Sequence, residues 1–125
     1  MKKLNLGCGK DIKSDCVNMD LVKREGVLLH DLSKLPWPFK DNEFDIIYAH
    51  HIIEHLDDVI KTLEEIYRIS KKDTLVYIKV PHYGTEAAHI DPTHKHFFSE
   101  NSFDWYFTKK QRMKFKFKFD ILNKE

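Results

Sequence analysis

The sequence predicts an abbreviated, doubly wound and mostly parallel α/β sheet, and three observations carry that prediction. Short apolar runs recur up to Val80 and end in glycines, acids, histidines or proline. An amphipathic helix stands between the fourth and fifth runs. The residues best suited to chemistry gather where the runs end, and an open parallel sheet binds its ligands there.

The runs suit strands buried on both faces. Lys3-Leu4-Asn5-Leu6 enters Gly7-Cys8-Gly9, and Cys16-Val17-Asn18-Met19 stops at Asp20. Val27-Leu28-Leu29 stops at His30-Asp31, Phe44 to Ala49 at a histidine pair, and Thr74 to Val80 at Pro81. Leu56, Val59, Ile60, Leu63, Ile66 and Tyr67 form one helical stripe. Asp57 and Asp58 at its start and Lys71 and Lys72 at its end suit the helix dipole. A shorter helix is expected after Ser99, a good N-cap, with Phe103, Trp105, Tyr106 and Phe107 on it. The last segment alternates Phe115, Phe117, Phe119 and Ile121 with Lys114, Lys116, Lys118 and Asp120. Period two predicts an antiparallel strand at the sheet edge, wet on one face.

A length of 125 residues with 42% hydrophobic side chains is expected to form one domain around one modest core. A net charge of +1 supplies no broad attraction to nucleic acid or membrane, although Lys109, Lys110, Arg112, Lys114, Lys116 and Lys118 cluster late. Cys8 and Cys16 have neither metal-ligand spacing nor disulfide-scaffold density. No apolar run approaches the roughly 20 residues of a membrane span, and no signal-peptide core follows Lys2 and Lys3. A reduced, cytoplasmic protein is the expectation.

Gly7 and Gly9 end the first run, where glycine permits positive φ and close approach of a ligand to the backbone. A nicotinamide dinucleotide would require a third glycine where Ile12 stands, and an acid about 20 residues on. Asp20 comes eleven residues after Gly9, so that reading fails. A carboxylate at Asp20 suits two ribose hydroxyls, and one at Asp31 suits the exocyclic amine of adenine.

Leu4-Asn5-Leu6-Gly7-Cys8-Gly9 and Val17-Asn18-Met19-Asp20 together resemble the first two motifs of class I SAM-dependent methyltransferases, the small methyltransferase type 11 group above all. Asp31-Leu32, Leu35-Pro36-Trp37-Pro38-Phe39, Phe44-Asp45-Ile46-Ile47, Glu54-His55-Leu56 and Leu75-Val76-Tyr77-Ile78 continue in that group's order. The resemblance implies a Rossmann-like sheet, S-adenosylmethionine as cofactor with S-adenosylhomocysteine as product, and methyl transfer to an acceptor the sequence does not name. It implies that Gly7 and Gly9 pass under the methionine part of the cofactor, with Asn5, Leu6 and Cys8 of the same turn. Asp20 and Leu21 would serve the ribose, Asp31 and Leu32 the adenine edge, and Ala49 and His50 the rim. Asn5 departs from the acid usual in the family. Only seven residues separate Gly9 from Val17, too few for a full first helix, and Val22 to Gly26 leaves no room for a second. The chain also ends after one strand of the family's closing hairpin, so it is read as a fragment or as one whose C-terminal edge strand a partner chain covers, giving an oligomer.

Eight histidines remain to be placed. His51-Ile52-Ile53-Glu54-His55 spells a metallopeptidase signature, H-x-x-E-H. It spans a strand-to-helix turn rather than an established helix, and the family pattern absorbs Glu54-His55-Leu56. A metal on His89, His94 and His96 is the weaker reading of the second cluster, so no metal is expected. His51 and His82, at the ends of the fourth and fifth strands, are the candidates for taking a proton. Tyr83, His94 and His96 are the candidates for the acceptor wall. A cofactor-binding module without turnover is the competing function.

Overall fold

A computed structural model describes residues 1–124 of the chain. Five strands, β1 (Lys3–Leu6), β2 (Val17–Asp20), β3 (Val27–Leu29), β4 (Phe44–His50) and β5 (Ser70–Lys79), form one sheet in the order β3-β2-β1-β4-β5. Every pairing between them is parallel. β1 takes β2 on one side, with Leu6 opposite Met19, and β4 on the other, with Leu6 opposite Ala49. The strand order reverses between β1 and β4, which opens a crevice beyond their carboxyl ends.

The helices are α1 (Val59–Ile69), α2 (Glu86–Ile90), α3 (Ser102–Tyr106) and α4 (Lys109–Lys114), with one 3-10 turn over Ile53–His55. Asp58 caps α1, its carboxylate accepting from the Lys61 amide at 3.0 Å. Leu63, Ile66 and Ile69 of α1 are fully buried with Leu4, Ile47 and Ala49 of the sheet. Val59, Leu63 and Ile66 belong to the stripe the spacing predicts, whereas Ile69 extends it, Leu56 lies before the helix and Tyr67 stays 40% exposed. Lys71 and Lys72 do not end the helix, because Ser70 already begins β5.

The opposite face is covered differently. No helix lies between β1 and β2 or between β2 and β3, since those connections are too short for one. A loop over residues 10–16 takes the first position, and Leu28 and Leu29 of β3 stay 41% and 54% exposed. Side chains alternate along a strand, so β4 and β5 turn Tyr48 and Tyr77 to this side, where their rings stack with centroids 5.4 Å apart.

The expected antiparallel C-terminal edge strand is overturned. Phe115 to Asp120 form no strand after α4, and all sheet strands are parallel. The period-two pattern still has a cause: Phe117 is 1% exposed and Phe115 and Phe119 pack on the core. The segment lies across α1 instead of the sheet. The Lys116 amide donates to Glu64 Oε2 at 2.9 Å, and Phe119 meets Tyr67 edge-on. Oligomerisation through that strand loses its basis. The helix expected after Ser99 forms at Ser102, with Asn101 at the cap position and no side-chain cap bond. The Ser99 hydroxyl instead accepts from the Asn101 amide at 3.2 Å, one residue before the helix.

Candidate functional site at the strand ends

The glycine turn is built by two demands on the backbone. Gly7 and Gly9 sit at φ +59° and +53°, which glycine adopts without steric cost. The Gly7 and Cys8 amides donate to the Met19 carbonyl at 2.8 and 3.3 Å, pinning the turn to β2. A Cβ on Gly7 would meet Ile52 Cγ1 at 2.4 Å, so Gly7 is packed shut by the turn after β4. A Cβ on Gly9 would meet nothing within 4 Å. Gly9 therefore faces open space, as a residue under a ligand would. Leu6 and Cys8 are buried beside it, and burial pushes the Cys8 thiol above its usual pKa.

Asp20 ends β2 facing that turn. Its Oδ2 accepts from the Gly9 amide at 3.1 Å and from Arg24 Nη1 at 3.2 Å, and Oδ1 accepts from the Leu21 amide at 2.8 Å. Two carboxylate oxygens offer about four acceptor sites, so one remains, and displacement of Arg24 opens another. The Leu21 side chain is 62% exposed. Asp31 ends β3 region in an Asx turn, with Oδ1 accepting from the Ser33 amide at 3.0 Å. Leu32 is buried, and its carbonyl accepts from Trp37 Nε1 at 3.0 Å. The groups present fit the adenosyl part of the cofactor: one carboxylate with spare acceptor capacity beside a glycine backbone in open space.

Asn5 has a different setting. It is 3% exposed and donates to the Asp11 carbonyl at 2.7 Å and to Asn18 Oδ1 at 3.0 Å. Asn18 also accepts from the Lys13 amide and donates to the Lys13 and Cys16 carbonyls. These two amides staple the loop that stands where a first helix would be.

On the other side of the crevice Ala49 is fully buried and His50 half-buried. Burial, then the nearby lysines Lys13 and Lys79, holds the His50 imidazole below its ordinary pKa. His51 follows at φ +54°, its side chain 56% exposed and its Nδ1 3.9 Å from Glu54 Oε2. His82 is tied at both ring nitrogens: Nδ1 accepts from the Gly84 amide at 3.0 Å, and Nε2 donates to Glu100 at 2.7 Å. Tyr83 stacks on it, 54% exposed. The segment then returns onto the turn after β4. The Lys95 and His96 amides donate to the Glu54 carbonyl at 2.7 and 3.2 Å, and His96 Nε2 donates to the Leu56 carbonyl at 2.7 Å.

The fold thus joins Gly7, Cys8, Gly9, Asp20 and Leu21 in one corner, and His51, Glu54, His55, His94 and His96 in another. Ile52 links the two by covering Gly7. Sequence reasoning passes over Ile52, Arg24 and Asn18. Arg24 lies four residues from Asp20, but no helix exists there to make that spacing a signal.

Comparisons with known proteins agree with this geometry. A family model described as a methyltransferase domain matches residues 11–78. An uncharacterized methyltransferase of Bacillus subtilis, YcgJ, is 37% identical over 54 residues, which cover 43% of this chain and 21% of that protein. An uncharacterized methyltransferase of Schizosaccharomyces pombe is 31% identical over 67 residues, 54% of this chain and 23% of that protein. Among solved structures, a SAM dependent methyltransferase from Archaeoglobus fulgidus superposes with a TM-score of 0.69 at 22% identity, covering 83% of this chain and 57% of that one. A Haloferax volcanii putative methyltransferase in complex with the Trm112 activator gives a TM-score of 0.62 at 20% identity, with 83% and 57% covered. The chain spans about a fifth to a quarter of the curated relatives' length and under three fifths of the solved chains. More than half of the chain matches the family model, from the loop after the glycine turn into β5, and the chain belongs to the class I SAM-dependent methyltransferase family.

Proposed function

We propose that the chain binds S-adenosylmethionine beyond the carboxyl ends of β1 to β4 and passes its methyl group to an acceptor approaching from the His82–Phe98 side. The observation that carries this reading is the Asp20 carboxylate bonded to the Gly9 amide at the switch point of the sheet. Gly7 and Gly9 would lie under the methionine part, Asp20 would accept from the ribose hydroxyls, and Asp31 with Leu32 would border the adenine. The bound cofactor supplies a methyl group already activated on a sulfonium, so the protein's work is alignment, exclusion of water and removal of one proton.

The histidines divide that work unequally. His82 has both nitrogens engaged, so it positions the loop through Gly84 and Glu100. His51 has an exposed ring whose nitrogens hold no hydrogen bond among the described residues, with Glu54 Oε2 3.9 Å from Nδ1. His51 is therefore the better proton acceptor. His94 and His96 bond backbone carbonyls and shape the acceptor wall, while Tyr83 offers the exposed ring that touches the acceptor. Binding without turnover is the second reading, favoured by the loop that stands where a first helix would be and by Asn5 in place of the family's usual acid.

Thermal melting tests the proposal. S-adenosylhomocysteine at a hundred times its Kd should stabilise the fold by about 2.7 kcal/mol, and NAD at the same concentration should not. Equal shifts, or none at millimolar S-adenosylhomocysteine, would contradict it.

A further inference from the structure

Glu54 is 1% exposed, and its Oε1 has no hydrogen-bond partner among the described residues. A buried carboxyl oxygen without a partner is rare in a folded protein and marks a place where a ligand can sit. The nearest cationic candidates are imidazoles too distant to hydrogen-bond: His94 Nε2 at 4.0 Å and His51 Nδ1 at 3.9 Å from Oε2. One ligand atom each from Glu54, His55 and His94 lies within 4.8 Å of the other two. His55 and His94 rings meet edge-on, with centroids 4.6 Å apart.

Hydrogen bonds around the cluster set both imidazoles in the ligating tautomer. His94 Nδ1 is 2.9 Å from the Ala88 carbonyl, which only accepts, so Nδ1 carries the proton and Nε2 keeps its lone pair. Thr93 Oγ1 spends its single proton on Asp91 Oδ1 at 2.6 Å, so it accepts from His55 Nδ1 at 2.9 Å. His55 Nε2 is left with a free lone pair. A metal-binding histidine is held in this way by a carbonyl or hydroxyl behind its other nitrogen.

We propose that Glu54, His55 and His94 form a binding site for a divalent transition ion such as Zn2+ or Co2+. Two imidazoles and one carboxylate suit those ions better than Mg2+ or Ca2+, which prefer oxygen. Asp91 Oδ2, 3.7 Å from His94 Nε2, is within reach as a further oxygen ligand. Bonds of about 2.0–2.1 Å place tetrahedral ligand atoms about 3.3 Å apart. Closing to that spacing takes side-chain rotation on the Ile53–His55 turn and no rebuilding of the core. His51, at φ +54° and largely exposed, is not in the set, which separates the site from an H-x-x-E-H pair on one helix. In the sequence the two histidine groups stand apart, whereas this set takes Glu54 and His55 from one and His94 from the other.

The site stands independently of methyl transfer, and equilibrium binding tests it. Chelator-stripped protein should bind one equivalent of Zn2+ or Co2+. Glu54→Gln and His94→Ala should each weaken that binding at least tenfold, and His30→Ala, which removes a half-buried histidine outside the set, should not. Bound Co2+ should give a visible absorption spectrum that both variants lose. His55→Ala, on the cluster's more exposed side, replaces either variant should it fail to fold. Binding that survives Glu54→Gln, or falls equally in His30→Ala, would mark adventitious histidine capture. Absence of binding in the wild type would leave Glu54 a buried side chain beside two imidazoles and no site. Either result would overturn the proposal.

Discussion

The Asn5 side chain donates to Asn18 Oδ1 at 3.0 Å, and both residues are almost fully buried. This bond ties the strand before the glycine turn to the strand that ends at Asp20. Through Asp11, Lys13 and Cys16, the same two amides hold the loop between those strands. Asn18→Ala would strand a buried Asn5 donor and free several loop groups, so it should cost about 2–3 kcal/mol of stability. Urea unfolding would measure the loss. A change under about 0.5 kcal/mol would mean that the loop holds itself.

Gly7 and Gly9 share a left-handed backbone but differ in space. Gly7→Ala drives a methyl into Ile52, whereas Gly9→Ala meets nothing. Gly9→Ala should cost about 1–2 kcal/mol from backbone strain alone, and Gly7→Ala should cost clearly more. In a double-mutant cycle, Ile52→Ala should recover part of the Gly7→Ala loss. Additive losses would show that Ile52 does not pack on Gly7.

Arg24 and Asp20 are 3.2 Å apart, and both side chains retain contact with solvent. Such a pair contributes less than about 1 kcal/mol. Arg24→Ala should therefore leave stability nearly unchanged, and S-adenosylhomocysteine affinity equal or higher, as read by calorimetry. A marked loss of affinity would make Arg24 a ligand-binding residue rather than a competitor for the carboxylate.

His50 gives the fold a pH dependence of known sign. Burial disfavours its charged form, so the unfolded chain takes up the proton first as pH falls below about 6.5. The contribution of neutral His50 to stability is full above that pH and declines as pH falls toward the depressed folded-state value. His50→Gln should flatten the stability profile over that window. An unchanged slope would assign the dependence to other histidines.

Much of the fold was legible because parallel strands buried by neighbours must be short and apolar, and Leu4, Met19, Phe44 and Val76 sit in such runs. The stripe through Val59, Leu63 and Ile66 was legible for the same reason, since α1 buries one face. The segment from Phe115 to Phe119 misled because period two reports a buried face without naming what buries it. Here that is α1, through Glu64 and Tyr67, and not a strand. The glycine turn and Asp20 were visible as residue types at run ends. The meeting of Glu54 with His94 was not, because it depends on how the loop after β5 folds back, and no local spacing encodes that return.

The central claim is that the crevice beyond β1 and β2 takes the adenosyl cofactor through Asp20. Isothermal calorimetry with S-adenosylhomocysteine on the wild type and on Asp20→Ala tests it most directly. One site per chain is predicted, weakened in Asp20→Ala by about 1.5–3 kcal/mol, the range for a hydrogen bond to a charged group. Equal affinity in both proteins, with the variant folded, would contradict the assignment of Asp20, and no heat from the wild type at millimolar ligand would contradict the site itself.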